Sequence, residues 1–247
     1  MQEDKHPEWF ECWFDSPYYH LLYSNRDYSE AELFIDNLVS YLNPEKDSRI
    51  LDLACGKGRH SIDLNQKGFD VTGVDLAVQS IASARQSENE RLHFYEHDMR
   101  RLFRTNYFDI ALNLFTSFGY FKNERDNSAV INSVYKALKP DGIFVLDFMN
   151  SAKVIANLQS QETKIIAGVE FRITRTVDEG FIVKRITFND KEKDHTFEER
   201  VKALTLADFK KYFETNKLKI ITLRGNYQLE DFDANTSDRL IIIAKKG

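Results

Sequence analysis

Apolar positions along this 247-residue chain follow two rhythms. Ala31, Phe34, Ile35, Leu38, Val39 and Leu42 recur at the three- and four-residue steps of a single helical face. Ser29 begins the helix with a capping-box pattern, its partner being Glu32, and Pro44 closes the segment. The rhythm then changes to short, nearly unbroken apolar runs at residues 49–54, 69–74, 92–96, 108–114 and 143–148, which suit buried strands. Helical stretches at residues 58–66, 78–87 and 125–138 lie between most of these runs. Strands alternating with helices predict parallel pairing through right-handed crossovers, hence a doubly wound α/β layer over the first 150 residues.

The pattern breaks after Asn150. Residues 164–177, 181–189 and 196–204 are rich in Val, Ile, Thr and Phe, and Asp178-Glu179-Gly180 and Asn189-Asp190 supply hairpin turns. They predict an antiparallel β-meander inserted into the α/β order. Thr205 then caps a helix with Leu206, Phe209, Tyr212 and Phe213 on one side. Residues 219–223 and 239–244 give two final strands. The expected division is a helical cap at residues 1–45, a Rossmann-like unit at 46–150 and 205–247, and an inserted strand subdomain at 151–204.

Composition narrows the function classes. Hydrophobic residues make up 42% and charged residues 30%, an ordinary globular balance. No apolar run approaches the roughly 20 residues that span a bilayer, and the first residues lack the basic start and apolar block of a signal peptide. A cytoplasmic protein without a membrane partner is expected. A net charge of −5 and the lack of a basic stripe argue against a nucleic-acid partner. Cys12 and Cys55 stand far apart, and no Cys-x-x-Cys or His-x-x-x-His group suggests a metal site.

The candidate chemistry begins at Ile50-Leu51-Asp52-Leu53-Ala54-Cys55-Gly56-Lys57-Gly58-Arg59-His60, where a strand ends in a glycine loop that opens a helix. Glycines there let the backbone turn tightly and approach a ligand closely, and open α/β sheets bind ligands at the carboxyl ends of their strands. The second strand ends in Asp75, where a carboxylate can accept both hydroxyls of an adenosine ribose. A dinucleotide fingerprint wants a third small residue for close helix packing against a pyrophosphate. Ser61, preceded by Arg59 and His60, fits that less well.

These blocks resemble the class I S-adenosylmethionine-dependent methyltransferases, from about Tyr19 to Lys246. Asp52 to Gly58 is similar to that family's first motif, so Asp52, Ala54, Cys55, Gly56, Gly58, Arg59 and His60 are expected around the methionine part of the cofactor. Asp75, followed by Leu76, resembles the ribose-binding acid; His97-Asp98-Met99-Arg100 resembles the adenine-binding block, with Asp98 on the amino group and Met99 beside the ring. Asn113-Leu114-Phe115 resembles the floor after the fourth strand, and Leu138-Lys139-Pro140-Asp141-Gly142 the turn before the fifth. The resemblance implies a seven-stranded, mostly parallel sheet whose last strand, residues 239–244, is antiparallel.

A narrower resemblance points to a branch with amino-sugar N-methyltransferases and glycine N-methyltransferase-like enzymes. It implies that Tyr19, Tyr23 and Arg26 close over the cofactor, and that the insertion covers the acceptor pocket or makes a subunit contact, as in a homodimer. Tyr120 stands where the amino-sugar enzymes of the branch keep a histidine; it is the candidate for acceptor positioning. No Asn-Pro-Pro-Tyr block follows the fourth strand, and no cysteine sits where a cytosine C5 nucleophile would. The expected activity is methyl transfer to N or O of a small molecule. An NAD(P)-dependent oxidoreductase and a non-catalytic S-adenosylmethionine-binding module are the alternatives.

Overall fold

The computed structural model describes residues 8–24 and 28–247. Two short helices, α1 (Trp9–Phe14) and α2 (Pro17–Leu22), precede α3 (Tyr28–Leu42). Ser29 lies inside the first turn of α3 rather than ahead of it, and Phe34, Ile35 and Leu38 are its buried face. The α/β alternation then runs β1 (Arg49–Leu53), α4 (Arg59–Gln66), β2 (Asp70–Asp75), α5 (Val78–Ala84), β3 (Leu92–Glu96), β4 (Phe108–Asn113), α6 (Glu124–Ala137) and β5 (Leu138–Met149). A short α7 (Ser151–Ala156) leads into β6 (Gln161–Ile166), β7 (Val169–Asp178), β8 (Phe181–Asp190) and β9 (Lys193–Lys202). The chain ends with α8 (Leu206–Thr215), β10 (Leu218–Arg224) and β11 (Arg239–Lys246).

The main sheet has seven strands in the order β10-β11-β5-β4-β1-β2-β3. β1 to β5 pair in parallel, and β11 runs antiparallel to β5 and β10. Its central strands are apolar along almost their whole length because helices cover both faces. α6 and α8 bury Val130, Ile131, Phe209 and Phe213 on one face, while α3 and α4 bury Phe34, Ile35 and Leu64 on the other. Thr205 and Asp208 form the capping box that starts α8. The strand order reverses direction between β1 and β4, and the carboxyl ends of those strands leave a crevice there.

The second sheet has the order β6-β7-β8-β9. The expected single strand at residues 164–177 is a hairpin, because the chain reverses at Ala167-Gly168 with φ of +49° and +83°. Apolar side chains on both sides of Ala-Gly hide that turn in the sequence. The turn expected at Asn189-Asp190 falls two residues later, at Lys191-Glu192, both with positive φ, so β8 and β9 pair out to Asp190 and Lys193. Val169, Phe171, Ile173, Ile186 and Phe188 form the inner face of this sheet and pack on Trp13 and Leu22. The helices α1 and α2 are thereby fastened to the small sheet. Among the described residues, no helix is long and apolar enough to cross a membrane.

Candidate active site

The loop between β1 and α4 carries three left-handed residues, Ala54 (φ +57°), Gly56 (+57°) and Gly58 (+79°). Gly58 must be bare, since a Cβ there would stand 2.5 Å from the ring of Phe94. Gly73 on β2 is under the same constraint, 2.6 Å from that ring and 2.9 Å from Cys55 Sγ. Phe94 therefore fills the space beneath the loop, and Cys55 is a buried packing residue whose thiol burial pushes up. Around Gly56 a Cβ would meet nothing within 4 Å. The Cys55 N–H donates to the Val74 carbonyl at 3.1 Å, which ties the loop to the end of β2.

Two acids face this loop. Asp75 accepts the Gly56 N–H on Oδ2 and the Ala77 N–H on Oδ1, both at 2.8 Å. Burial pushes its carboxyl up, and the backbone donors from Ala77 and Gly56 pull it back. Asp52 is 1% exposed and accepts a 2.6 Å hydrogen bond from the Ser61 hydroxyl. Burial raises it to about 7, against the lowering pull of Ser61 and Arg59, while nearby Asp75 adds to the rise. Asp52 and Asp75 are thus two carboxyls in one crevice, one of which titrates near neutrality.

The loop after β4 is held by a buried network that no sequence motif announced. Asp147 on β5 is fully buried and pairs with Arg239 of β11, its Oδ1 2.8 Å from Nε. Its Oδ2 accepts the Phe115 N–H at 2.8 Å, and its backbone carbonyl accepts the Thr116 N–H at 3.0 Å. Arg239 Nη2 also donates to Thr116 Oγ1 at 2.9 Å. These bonds hold Phe115 and Thr116 at φ of +56° and +62°, a region costly for residues bearing a Cβ. The Thr116 carbonyl accepts the Tyr120 hydroxyl at 2.6 Å. Phe115 in turn stacks on His60, centroids 5.0 Å apart, beneath the guanidinium of Arg59.

A cavity of about 560 Å³ opens over these elements. Of the residues expected in the site, Asp52, Ala54, Cys55, Gly56, Arg59, His60, Asp75, Leu76, Met99, Leu114, Phe115, Tyr19, Tyr23 and Tyr120 line it. Gly58, Asp98 and Asn113 do not. Gly58 faces Phe94 instead. Asp98 is clamped by Arg100, whose Nη2 donates at 2.7 Å; the carboxyl is held below its usual range by Arg100 despite the opposing effect of burial. Asn113 lies under the floor, its amide donating to the Leu53 and Ser117 carbonyls. Arg26 falls outside the described residues. The structure adds lining residues that sequence reasoning missed, chiefly Trp9, Phe10 and Phe14 of α1 and Glu199 and Val201 of β9. The dense aromatics of residues 9–14 were the one available signal. No cluster of side chains suited to a metal ion occurs among the described residues.

A family model described as a methyltransferase domain matches residues 44–202, more than half of the chain. A putative methyltransferase, YqeM of Bacillus subtilis, is 40% identical over 116 residues, covering 45% of this chain and 46% of that protein. The chain thus spans about half the length of that relative. The glycine/sarcosine N-methyltransferase of Aphanothece halophytica is 29% identical over 233 residues, 90% of this chain and 83% of that protein. Among solved structures, an S-adenosylmethionine-dependent methyltransferase from Clostridium acetobutylicum superposes with a TM-score of 0.78 at 22% identity, covering 93% of this chain and 96% of that one.

Proposed function

The chain belongs to the methyltransferase-domain family, and from that premise we propose that it moves a methyl group from S-adenosylmethionine to the nitrogen of a small-molecule amine in this cavity. The observation that carries this reading is the placement of Asp75 in the crevice, bonded to Gly56 and lining the cavity. The Asp75 carboxylate accepts backbone N–H groups on both oxygens and has acceptor capacity left for a ribose hydroxyl. Leu76 and Met99 offer apolar contact to an adenine beside it. Gly56 leaves the backbone open for close approach, and Asp52 supplies a buried carboxylate for an ammonium group. The residues present therefore fit the cofactor. A pyrophosphate fits them poorly, because the third-glycine position is Ser61 and its hydroxyl serves a buried acid. That disfavours a dinucleotide-dependent oxidoreductase.

Bound there, S-adenosylmethionine supplies a methyl group already activated by a positively charged sulfur. What remains for the protein is alignment and exclusion of water, and alignment alone can account for much of the acceleration. The Asp147–Arg239 network fixes the loop 115–120 so that Phe115, Thr116 and Tyr120 present a rigid wall to the reacting groups. Trp9, Phe10 and Phe14 close the other part of the cavity with apolar surface. In this reading the described part of residues 1–45 serves as a cap and residues 151–204 as a cover over the acceptor end, around the Rossmann-like unit at 46–150 and 205–247. The same reading takes the protein as cytoplasmic, with a small-molecule rather than a nucleic-acid partner, and a homodimer through the small sheet is compatible with it.

Incubation with methyl-labelled S-adenosylmethionine and a panel of primary and secondary amines tests the proposal. Label transfer to an amine, with stoichiometric S-adenosylhomocysteine, is expected. Tight cofactor binding without transfer to any acceptor would favour the non-catalytic alternative.

A further inference from the structure

Helix α5 begins after Ala77, a cap residue whose methyl side chain accepts no hydrogen bond. The helix takes its cap from elsewhere in the chain. Asp15, at the turn between α1 and α2, accepts the Gln79 N–H on Oδ1 at 2.7 Å, a donor that a cap side chain ordinarily satisfies. His20 of α2 reaches the next residue, its Nε2 3.5 Å from Ser80 Oγ. Ala77 is also the residue whose N–H holds Asp75 Oδ1, so Asp15 grips α5 two positions beyond the brace of the proposed ribose-binding acid. Asp75, Ala77 and Ser80 line the cavity from this side, and Trp9, Phe14 and Tyr19 line it from α1 and α2. Ala77 and Ser80 are nonetheless only 4% and 2% exposed, so the cavity is closed off where the α1–α2 turn meets α5.

The two sides of α1 and α2 are held unequally. On the small sheet, Trp13 and Leu22 are buried against Phe171, Ile186 and Phe188, and the Tyr18 hydroxyl donates to Asp190 Oδ2 at 2.7 Å. Parting these would return several large apolar side chains to water, which is costly. On α5, the Asp15 bond is solvent-exposed, and water can replace it at small net cost. Phe10 packs on Phe121 with centroids 5.6 Å apart and anchors the start of α1 to the main unit. Helices α1 and α2 can thus swing from α5 about that contact while staying on the small sheet. We infer that Asp15 is a latch: its bond to Gln79 closes the seam between the α1–α2 turn and α5, and its release opens the seam through which the nucleoside cofactor and its product exchange. The inference rests on the cofactor reading of the cavity and adds the route by which the cavity fills and empties. In the open state water caps the Gln79 N–H, and in the closed state Asp15 does so, which leaves the first turn of α5 satisfied in both.

The test measures the rate at which S-adenosylhomocysteine leaves the full-length protein, by stopped-flow fluorescence after dilution of the complex. Trp9 and Trp13 are the two tryptophans of the chain, both lie on α1, and Trp9 lines the cavity, so the emission reports on this segment. Asp15→Ala removes the bond across the seam. Tyr18→Phe removes one hydrogen bond from the same segment on its small-sheet side. A merely structural contribution would move both variants alike. Asp15→Ala is expected to release the nucleoside about fivefold faster or more, the effect of losing one hydrogen bond, and Tyr18→Phe to stay within twofold of the wild type. An unchanged rate in Asp15→Ala, or equal acceleration in both variants, would overturn the latch and leave the cofactor reading standing. Absence of S-adenosylhomocysteine binding to the wild-type protein by calorimetry would instead overturn the cofactor reading, and the latch with it.

Discussion

The Asp75 carboxylate accepts the Gly56 N–H at 2.8 Å, so the last residue of β2 braces the loop that leaves β1. One contact thereby shapes two neighbouring strand ends into a single cradle. The acid is exact in position because a second N–H, from Ala77, holds its other oxygen at the same distance.

The two loop glycines are predicted to respond differently to substitution. Gly58→Val drives a Cβ into Phe94 and is expected to unfold or strongly destabilise the protein, since overpacking with backbone strain costs about 1–3 kcal/mol or more. Gly56→Val meets no atom within 4 Å, so the variant folds at a cost of about 1–2 kcal/mol for its positive φ, while its side chain obstructs the cradle. Urea unfolding and calorimetry with S-adenosylmethionine separate the two outcomes.

Asp52 predicts a pH dependence. Burial lifts its carboxyl from the usual 3.8 to about 7, so the folded chain retains a proton that the unfolded chain releases. Its contribution to stability is complete below about pH 4 and is lost as the pH rises through 7, with a slope of at most about 1.4 kcal/mol per pH unit. On the proposed reading, the cofactor's ammonium group comes to the same acid and favours its ionised form, so affinity is expected to rise over that window and binding to release protons. Calorimetry in two buffers of different ionisation enthalpy reads the release. Asp52→Asn is expected to abolish both the stability slope and the proton release.

The glycine loop, Asp75 and the Rossmann-like layer were legible in the sequence because each is a local event: a strand, a left-handed turn, a helix start, an acid at a strand end. Asp98 shows the limit of motif reading. Its neighbour Arg100 captures the carboxylate, a pairing that depends on side-chain conformation rather than on the order of residues. Glu199 and Trp9 were illegible for another reason. They reach the cavity only because the small sheet docks on α1 and α2, an arrangement set by the distant packing of Trp13 against Phe197 and Phe188's neighbours. Asp147 and Arg239 belong to two antiparallel strands separated by the whole insertion, and no spacing rule links them.

Arg239→Met is predicted to leave a buried carboxylate, Asp147, without its ion-pair partner. Loss of one partner of such a pair costs about 3–5 kcal/mol, and Phe115 and Thr116 lose part of what holds their left-handed backbone. Denaturant unfolding should show the loss directly. Asp147→Asn keeps an oxygen for the Phe115 N–H and is expected to lose less.

Tyr120→Phe removes a hydroxyl that donates to the Thr116 carbonyl in the cavity wall. The ring contacts with Trp9 and Phe14 survive the change. The loss of one neutral hydrogen bond, about 1 kcal/mol, corresponds to roughly fivefold, and it is expected in acceptor KM more than in kcat. A kcat loss of several hundredfold would instead assign Tyr120 a direct part in proton transfer.

Calorimetric titration of S-adenosylmethionine into the wild-type protein and Asp75→Ala tests the cradle most directly. Saturable one-to-one binding is expected in the wild type, with a loss of about 1–3 kcal/mol in the variant, the cost of removing charge-assisted hydrogen bonds. Equal affinity in the two proteins would contradict the account, because the cradle formed by Asp75 and the Gly56 loop could not then be where the cofactor's ribose is held.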